Sequence, residues 1–238
     1  FDFLSQTFRN FKHTGAVWPS GDRLANEMTS SLRKSTGPKR ILEVGPGTGP
    51  FTAKILQSVR PEDEFHIVEI NPFFCKVLEK RLLDPFRQRH PNSTVELHES
   101  PIESAPVTGT FDHIICGLPF NNFPPSLVRS IFKRMLSLLG EGGDLTYFEY
   151  AAVRVMKAPV TSPQSRRNLR QIDAHGKRLH RQHRGSRQLV MANFPPAVAV
   201  RLFQPINEQL RATPSQSAGH AYIPMDPGGR MLRTSVSV

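Results

Sequence analysis

Between residues 40 and 150 the spacing of apolar and polar positions switches repeatedly between two periods. Short runs at 40–44, 64–69, 93–98, 111–116 and 143–150 read as strands. The stretches 51–59, 72–89 and 125–139 keep helical spacing between them, and in 72–89 the side chains of Phe74, Val77, Leu78 and Leu82 share one side. The run 111–116 is apolar almost throughout, which suits a strand buried on both faces. Strands alternating with helices imply an α/β fold around a mostly parallel sheet with helices on both faces. Residues 187–192 and 197–203 read as a closing hairpin pair joined by Asn193-Phe194-Pro195-Pro196, which brings the sheet to seven strands. Beyond residue 204 the chain is rich in Ser, Pro, Gly and Gln without a sustained period, so 205–238 is expected to be a weakly structured tail. No internal repeat is visible.

Composition narrows the picture. A chain of 238 residues suits one domain with a full core. No apolar run approaches the roughly 20 residues of a membrane-crossing helix. The chain starts at Phe1 rather than Met, which leaves room for a removed leader. Cys75 and Cys116 fall in a predicted helix and a predicted strand, as buried free thiols in a reducing cytosol would. No Cys/His cluster has the spacing of metal ligands, so no metal is expected. The net charge of +11 favours a polyanionic partner: RNA, DNA or an anionic lipid surface. Ten of the basic residues lie between 151 and 190, against the single acid Asp173. That segment is either a solvated loop or an electrostatic docking surface.

The candidate chemistry starts at residues 41–49, Ile-Leu-Glu-Val-Gly-Pro-Gly-Thr-Gly. An apolar run meets an acid, Glu43, and then glycines at Gly45, Gly47 and Gly49. Glycines at these points let the backbone leave a strand in a tight turn and approach a ligand where a Cβ would clash. Glu69 ends the second predicted strand roughly twenty residues on. A carboxylate there can accept both hydroxyls of a nucleoside ribose.

The glycine loop with Glu43 resembles motif I of class I S-adenosylmethionine (AdoMet) methyltransferases, which have a Rossmann-like fold. The loop after the fourth strand, Gly117-Leu118-Pro119-Phe120-Asn121, narrows the resemblance to two families. Ribosomal RNA adenine dimethylases carry Asn-Leu-Pro-Tyr there, and the Asn holds the target N6 amine; here that position is Gly117. The chain is more similar to bacterial phospholipid N-methyltransferases, which methylate phosphatidylethanolamine, and to their aminolipid relatives. The likeness rests on residues 11–20 (Phe-Lys-His-Thr-Gly-Ala-Val-Trp-Pro-Ser), the glycine loop, Gly117–Phe120 and Asn193–Ala197, and spans roughly residues 1–203.

This resemblance implies methyl transfer from AdoMet to the amine of a membrane aminolipid such as phosphatidylethanolamine or an ornithine-type lipid. RNA adenine dimethylation is the alternative. It implies a cofactor site of Glu43, Gly45, Gly47, Gly49, Glu69, Ile70, Ser100, Pro101, Ile102 and Gly117, with Glu43 near the cofactor's ammonium. Ser100 stands where an Asp often holds the adenine amino group. Tyr147 and Glu149 alternate onto one face of the fifth strand and are candidates to take the substrate's proton. Phe120 and Tyr147 would cradle the methylated cation, with Asn121 beside them; Arg154 and Lys157 would hold the lipid phosphate. Tyr147 can also be read as a core aromatic. Residues 1–22 would form an amphipathic and lid segment before the domain at 23–204. Phe1, Leu4, Phe8 and Phe11 share a helix face, suited to a bilayer interface or to packing on the core, and Gly15 and Ser20 would close over the cofactor. The implied location is cytoplasmic and peripherally membrane-associated.

Overall fold

The computed structural model describes residues 19–150, 163–191 and 196–206. The expectations for residues 1–18, Arg154, Lys157, 193–195 and the tail from 207 lie outside the described residues. Seven strands form one sheet: β1 (Arg40–Val44), β2 (Glu64–Glu69), β3 (Thr94–Glu99), β4 (Phe111–Cys116), β5 (Leu139–Tyr150), β6 (Ser186–Val190) and β7 (Ala197–Phe203). Their order is β3-β2-β1-β4-β5-β7-β6. β1 to β5 run parallel, and β7 pairs antiparallel with both β5 and β6. The predicted α/β class, the mostly parallel sheet and the final hairpin pair are all present.

Strand alternation divides the core between the two faces. Leu42, Val44, Ile114, Cys116, Leu145 and Tyr147 belong to one cluster, covered by α6 (Pro125–Leu138) through Val128, Ile131, Phe132 and Met135. Ile41, Phe65, Ile67, Ile115 and Phe148 belong to the other. Helices α1 (Pro19–Met28), α2 (Ser30–Lys34) and α3 (Pro50–Leu56) cover that side with Leu24, Met28, Leu32, Phe51 and Ile55. Complete burial of each such Leu or Ile contributes about 1.5–3 kcal/mol. No helix among the described residues is long and apolar enough to cross a membrane.

Three boundaries differ from expectation, each for a local reason. α3 stops at Leu56, three residues early, and closes in a turn in which Ser58 N–H reaches Ile55 O. The stretch 72–89 is helical but splits into α4 (Pro72–Leu78), a π turn (Glu79–Leu83) and α5 (Asp84–Arg89). Pro85 has no N–H to donate and its ring would strike the carbonyl four residues back. The π turn accommodates it: the Asp84 amide donates to the Glu79 carbonyl, five residues back. β5 begins at Leu139 rather than 143, and its register against β4 shifts between Phe111 and His113.

The largest departure is α7 (Pro163–Gln182). The basic run was expected to be a loop or a docking surface, and twenty residues of it are helix. Leu169, Ile172, Gly176 and Leu179 fall at i, i+3, i+7 and i+10 and face the protein, while Arg166, Arg167, Arg170, Lys177, Arg178 and Arg181 are exposed. Leu179 is buried in the same core cluster as Tyr147 and Phe132.

Candidate active site

β1 connects to β2 on one side and lies against β4 on the other, so the chain order reverses between β1 and β4. In open α/β sheets a crevice opens at such a switch, beyond the carboxyl ends of the strands. The glycine turn leaves β1 at that point. Gly45, Gly47 and Gly49 have φ of 68°, 60° and 88°, a region that L side chains rarely adopt. The Gly45 amide donates to Val68 O at 2.9 Å and the Gly117 amide to Val44 O at 2.8 Å, tying the turn to β2 and to the loop after β4.

Gly117 is glycine for a steric reason. A Cβ there would lie 2.5 Å from the carbonyl oxygen of Gly45, which is backbone and cannot swing aside. The polar side chain that RNA dimethylases place at this position therefore has no room. Gly117→Ala should displace the glycine turn and weaken cofactor binding by about 1–3 kcal/mol, the usual cost of overpacking. Calorimetry with AdoMet checks this, and an unchanged affinity would show that the turn adjusts freely.

Glu69 at the end of β2 is almost fully buried. Its Oε2 accepts from the Gly47 amide at 3.0 Å and its Oε1 from the Asn71 amide at 2.8 Å. The carboxylate thus holds the middle of the glycine turn, and each oxygen keeps a lone pair for a further donor. Burial pushes its carboxyl up from the ordinary carboxylate range, with the Asn71 and Gly47 amides opposing.

Glu43 is completely buried, and neither of its oxygens has a hydrogen-bond partner. Desolvation raises its pKa to about 8, although the neighbouring Thr52 favours the charged form; the charge of Glu69 adds to the rise. The Thr52 hydroxyl and the Ser100 hydroxyl are likewise buried without partners. Buried polar atoms without partners are uncommon in folded proteins. Here they surround a turn where a Cβ at Gly47 would meet nothing within 4 Å. The residues therefore fit a nucleoside ligand that carries hydroxyl and amino donors. Ile102, next to Ser100 and Pro101, is buried, and Ile70 packs on the same core cluster.

The other candidates meet at a cavity of about 40 Å³ beside the last residues of β5 and the loop after β4. Phe120, Asn121, Tyr147 and Glu149 line it together. The Tyr147 hydroxyl donates to Glu149 Oε1 over a long 3.4 Å, and Arg187 holds Glu149 Oε2 at 2.8 Å. Phe120 and Phe132 set their rings against Tyr147, with centroids 5.9 and 5.0 Å away. Burial, reinforced by the charge of Glu149, drives the Tyr147 phenol well above its ordinary value. The raised value makes the phenol a hydrogen-bond donor to Glu149 rather than an anion.

Sequence reasoning missed the roof of this cavity. Leu169, Ile172, Asp173 and Gly176 of α7 and Phe132 of α6 also line it. A Cβ at Gly176 would come within 3.2 Å of Glu149 Oε1 and 3.4 Å of the Tyr147 hydroxyl, so the bare helix backbone rests on that pair. The spacing of Leu169, Ile172, Gly176 and Leu179 carried the signal, but their density of arginines masked it.

Comparison with known proteins agrees with this geometry. A methyltransferase-domain family model matches residues 41–143. The ornithine lipid N-methyltransferase of Singulisphaera acidiphila is 27% identical over 152 residues, covering 60% of this chain and 73% of the relative. Among solved structures, the O-methyltransferase TomG of Streptomyces achromogenes superposes with a TM-score of 0.55 at 15% identity, covering 86% of this chain and 90% of that one. The magnesium protoporphyrin IX methyltransferase of Synechocystis gives 0.54 at 12% identity, with 78% and 80% covered. Residues 41–143 thus match a methyltransferase-domain model, and the sheet order and glycine turn give the chain the Rossmann-like fold of the class I methyltransferases.

Proposed function

We propose that this chain methylates the amine of a membrane aminolipid, of the ornithine-lipid or phosphatidylethanolamine kind, at the surface of an anionic bilayer. The observation that carries the reading is the aromatic cavity with two carboxylates, Glu149 and Asp173, lying beneath a helix whose outer face is basic. The likeness to an ornithine lipid N-methyltransferase supports the same substrate class. Gly117 supports it from the other side. An adenine amine is a poor nucleophile and needs a polar partner, whereas a deprotonated alkylamine does not.

AdoMet supplies a methyl group already activated by its sulfonium. The glycine turn, Glu43, Glu69, Ile70 and Ser100–Ile102 hold it, with Glu69 accepting from the ribose hydroxyls. The remaining work is alignment of nitrogen, methyl carbon and sulfur. Glu149 takes the proton from the substrate ammonium, directly or through water. With AdoMet bound, the freed lone pair would take the methyl group, and S-adenosylhomocysteine would leave. Phe120, Phe132 and neutral Tyr147 surround the methylated cation, a contact of about 0.5–2 kcal/mol. Asn121 borders the cavity mouth, and Arg154 and Lys157 would meet the lipid phosphate.

The test is flotation with vesicles containing an anionic lipid and either aminolipid, followed by transfer of labelled methyl from AdoMet to extracted lipid or to RNA. Label in lipid is expected; label in RNA alone would overturn the proposal. Arg166, Arg170, Arg178 and Arg181 fall within an arc of roughly 120° at about 100° per helical residue. Reversing all four to Glu removes about 1 kcal/mol of lipid attraction each, so flotation should fall on the order of 10³-fold. AdoMet affinity should stay unchanged, because these side chains are exposed and remote from the glycine turn.

A further inference from the structure

On the β3 side of the sheet the described residues bring together His66, Glu96 and His98. His66 lies roughly thirty residues before Glu96 and His98 in the chain, so the trio does not show in the sequence. The parallel pairing of β2 with β3 sets His66 opposite Glu96 and Val68 opposite His98. His66 Nδ1 lies 3.2 Å from His98 Nε2, and Glu96 Oε2 lies 3.6 Å from each of them. Zn²⁺ at bonds of about 2.0–2.1 Å in tetrahedral geometry separates its ligand atoms by about 3.3–3.4 Å. The three atoms thus already mark one face of such a tetrahedron.

The two imidazole planes lie within 8° of parallel with centroids 5.5 Å apart, so the facing nitrogens share a hydrogen bond and each ring must turn to aim its lone pair at an ion; Phe111 sets its ring edge-on to His66 at 5.4 Å. The side chains of His66 and His98 are only 11% and 14% exposed, while Glu96 at 54% leaves an approach from solvent. Glu64 lies 3.7 Å from the other nitrogen of His66 and is itself held by Arg40 at 2.6 Å. That distance is too long for a hydrogen bond, and the buried His66 Nε2 has no partner, so Glu64 contributes only its nearby charge.

We propose that His66 Nδ1, His98 Nε2 and Glu96 bind a divalent ion of the zinc class, with solvent as fourth ligand, and that the ion pins edge strand β3 to β2. The set is two neutral nitrogens and one carboxylate, which suits Zn²⁺ and excludes Mg²⁺ and Ca²⁺ as preferred occupants. The site is separate from methyl transfer: His66 precedes Glu69 by three residues and so points to the opposite face of β2, and edge strand β3 is separated from β5 by β2, β1 and β4.

The experiment uses the full chain without a polyhistidine tag. Calorimetric titration with Zn²⁺ should give one equivalent, Co²⁺ should give the strong visible absorption of a tetrahedral site, and Zn²⁺ but not Mg²⁺ should raise the melting temperature. His98→Ala and Glu96→Gln should each weaken Zn²⁺ binding by more than about 100-fold, beyond what loss of an outer-shell partner does. Both lie on the edge strand, and unaltered AdoMet affinity in each variant would show that the fold is kept. The absence of the Co²⁺ band, or Zn²⁺ affinity equal to the parent in both variants, would overturn the proposal.

Discussion

Glu69→Gln should weaken AdoMet binding by roughly 10²- to 10⁴-fold while leaving a folded chain. The substitution keeps size and shape but not chemistry. Both Glu69 oxygens already accept from backbone amides, Gly47 on one side and Asn71 on the other. A Gln side chain has only one oxygen, so its amide group must point NH₂ at one of those N–H donors. The glycine turn then loses its anchor or the end of β2 does. The ribose hydroxyls lose a charged acceptor in the same step. Hydrogen bonds to charged groups contribute about 1.5–3 kcal/mol each, so losing two weakens binding by roughly 10²- to 10⁴-fold. Calorimetry reads this directly, and parental affinity in Glu69→Gln would remove Glu69 from the cofactor site.

The second large effect belongs to Glu43. Its folded pKa of about 8 stands above the ordinary 4.5 because burial penalises the charged form. The folded chain therefore keeps a proton that the unfolded chain releases. The stabilisation is complete below about pH 4.5 and is lost as pH rises towards about 8, at about 1.4 kcal/mol per pH unit. Glu43→Gln, neutral at every pH, should lose this slope and melt at a higher temperature than the parent at pH 8. Its AdoMet affinity should fall, because a carboxylate facing the cofactor's ammonium is gone. In the parent, binding near neutral pH should expel a proton and make the measured enthalpy depend on the buffer's ionisation heat. A parent whose melting temperature is flat between pH 5 and 8, or whose binding enthalpy ignores the buffer, would contradict a buried protonated Glu43.

These two acids were legible in the chain because their signals are local. Glu43 sits two residues before the first glycine, and Glu69 closes the next strand-like run. Neither observation revealed that Glu69 fastens the turn through Gly47, since that contact joins two separate strand ends. The same holds for Gly117. Its lack of a polar side chain was readable, and its reason, the carbonyl of Gly45 2.5 Å from any Cβ, was not.

Residues 163–182 show where the reading went furthest astray. Arginine density argued for solvent, and it does describe the exposed face of α7. Four positions at helical spacing, Leu169, Ile172, Gly176 and Leu179, settle the other face. They pack because Tyr147, Phe132 and Glu149 wait beneath them, residues from strands and helices far away in the chain.

Period and punctuation along the chain determined by themselves the strand–helix alternation, the α/β class and the glycine turn with its two acids. Each depends on residues within a few positions of one another, where backbone sterics and side-chain alternation act. Tertiary structure alone decided the roof over Tyr147, the upward shift of Glu43 by burial and the meeting of His66 with Glu96 and His98. Burial and through-space distance govern those properties, and both exist only once β2 lies against β3 and α7 has closed over the end of β5.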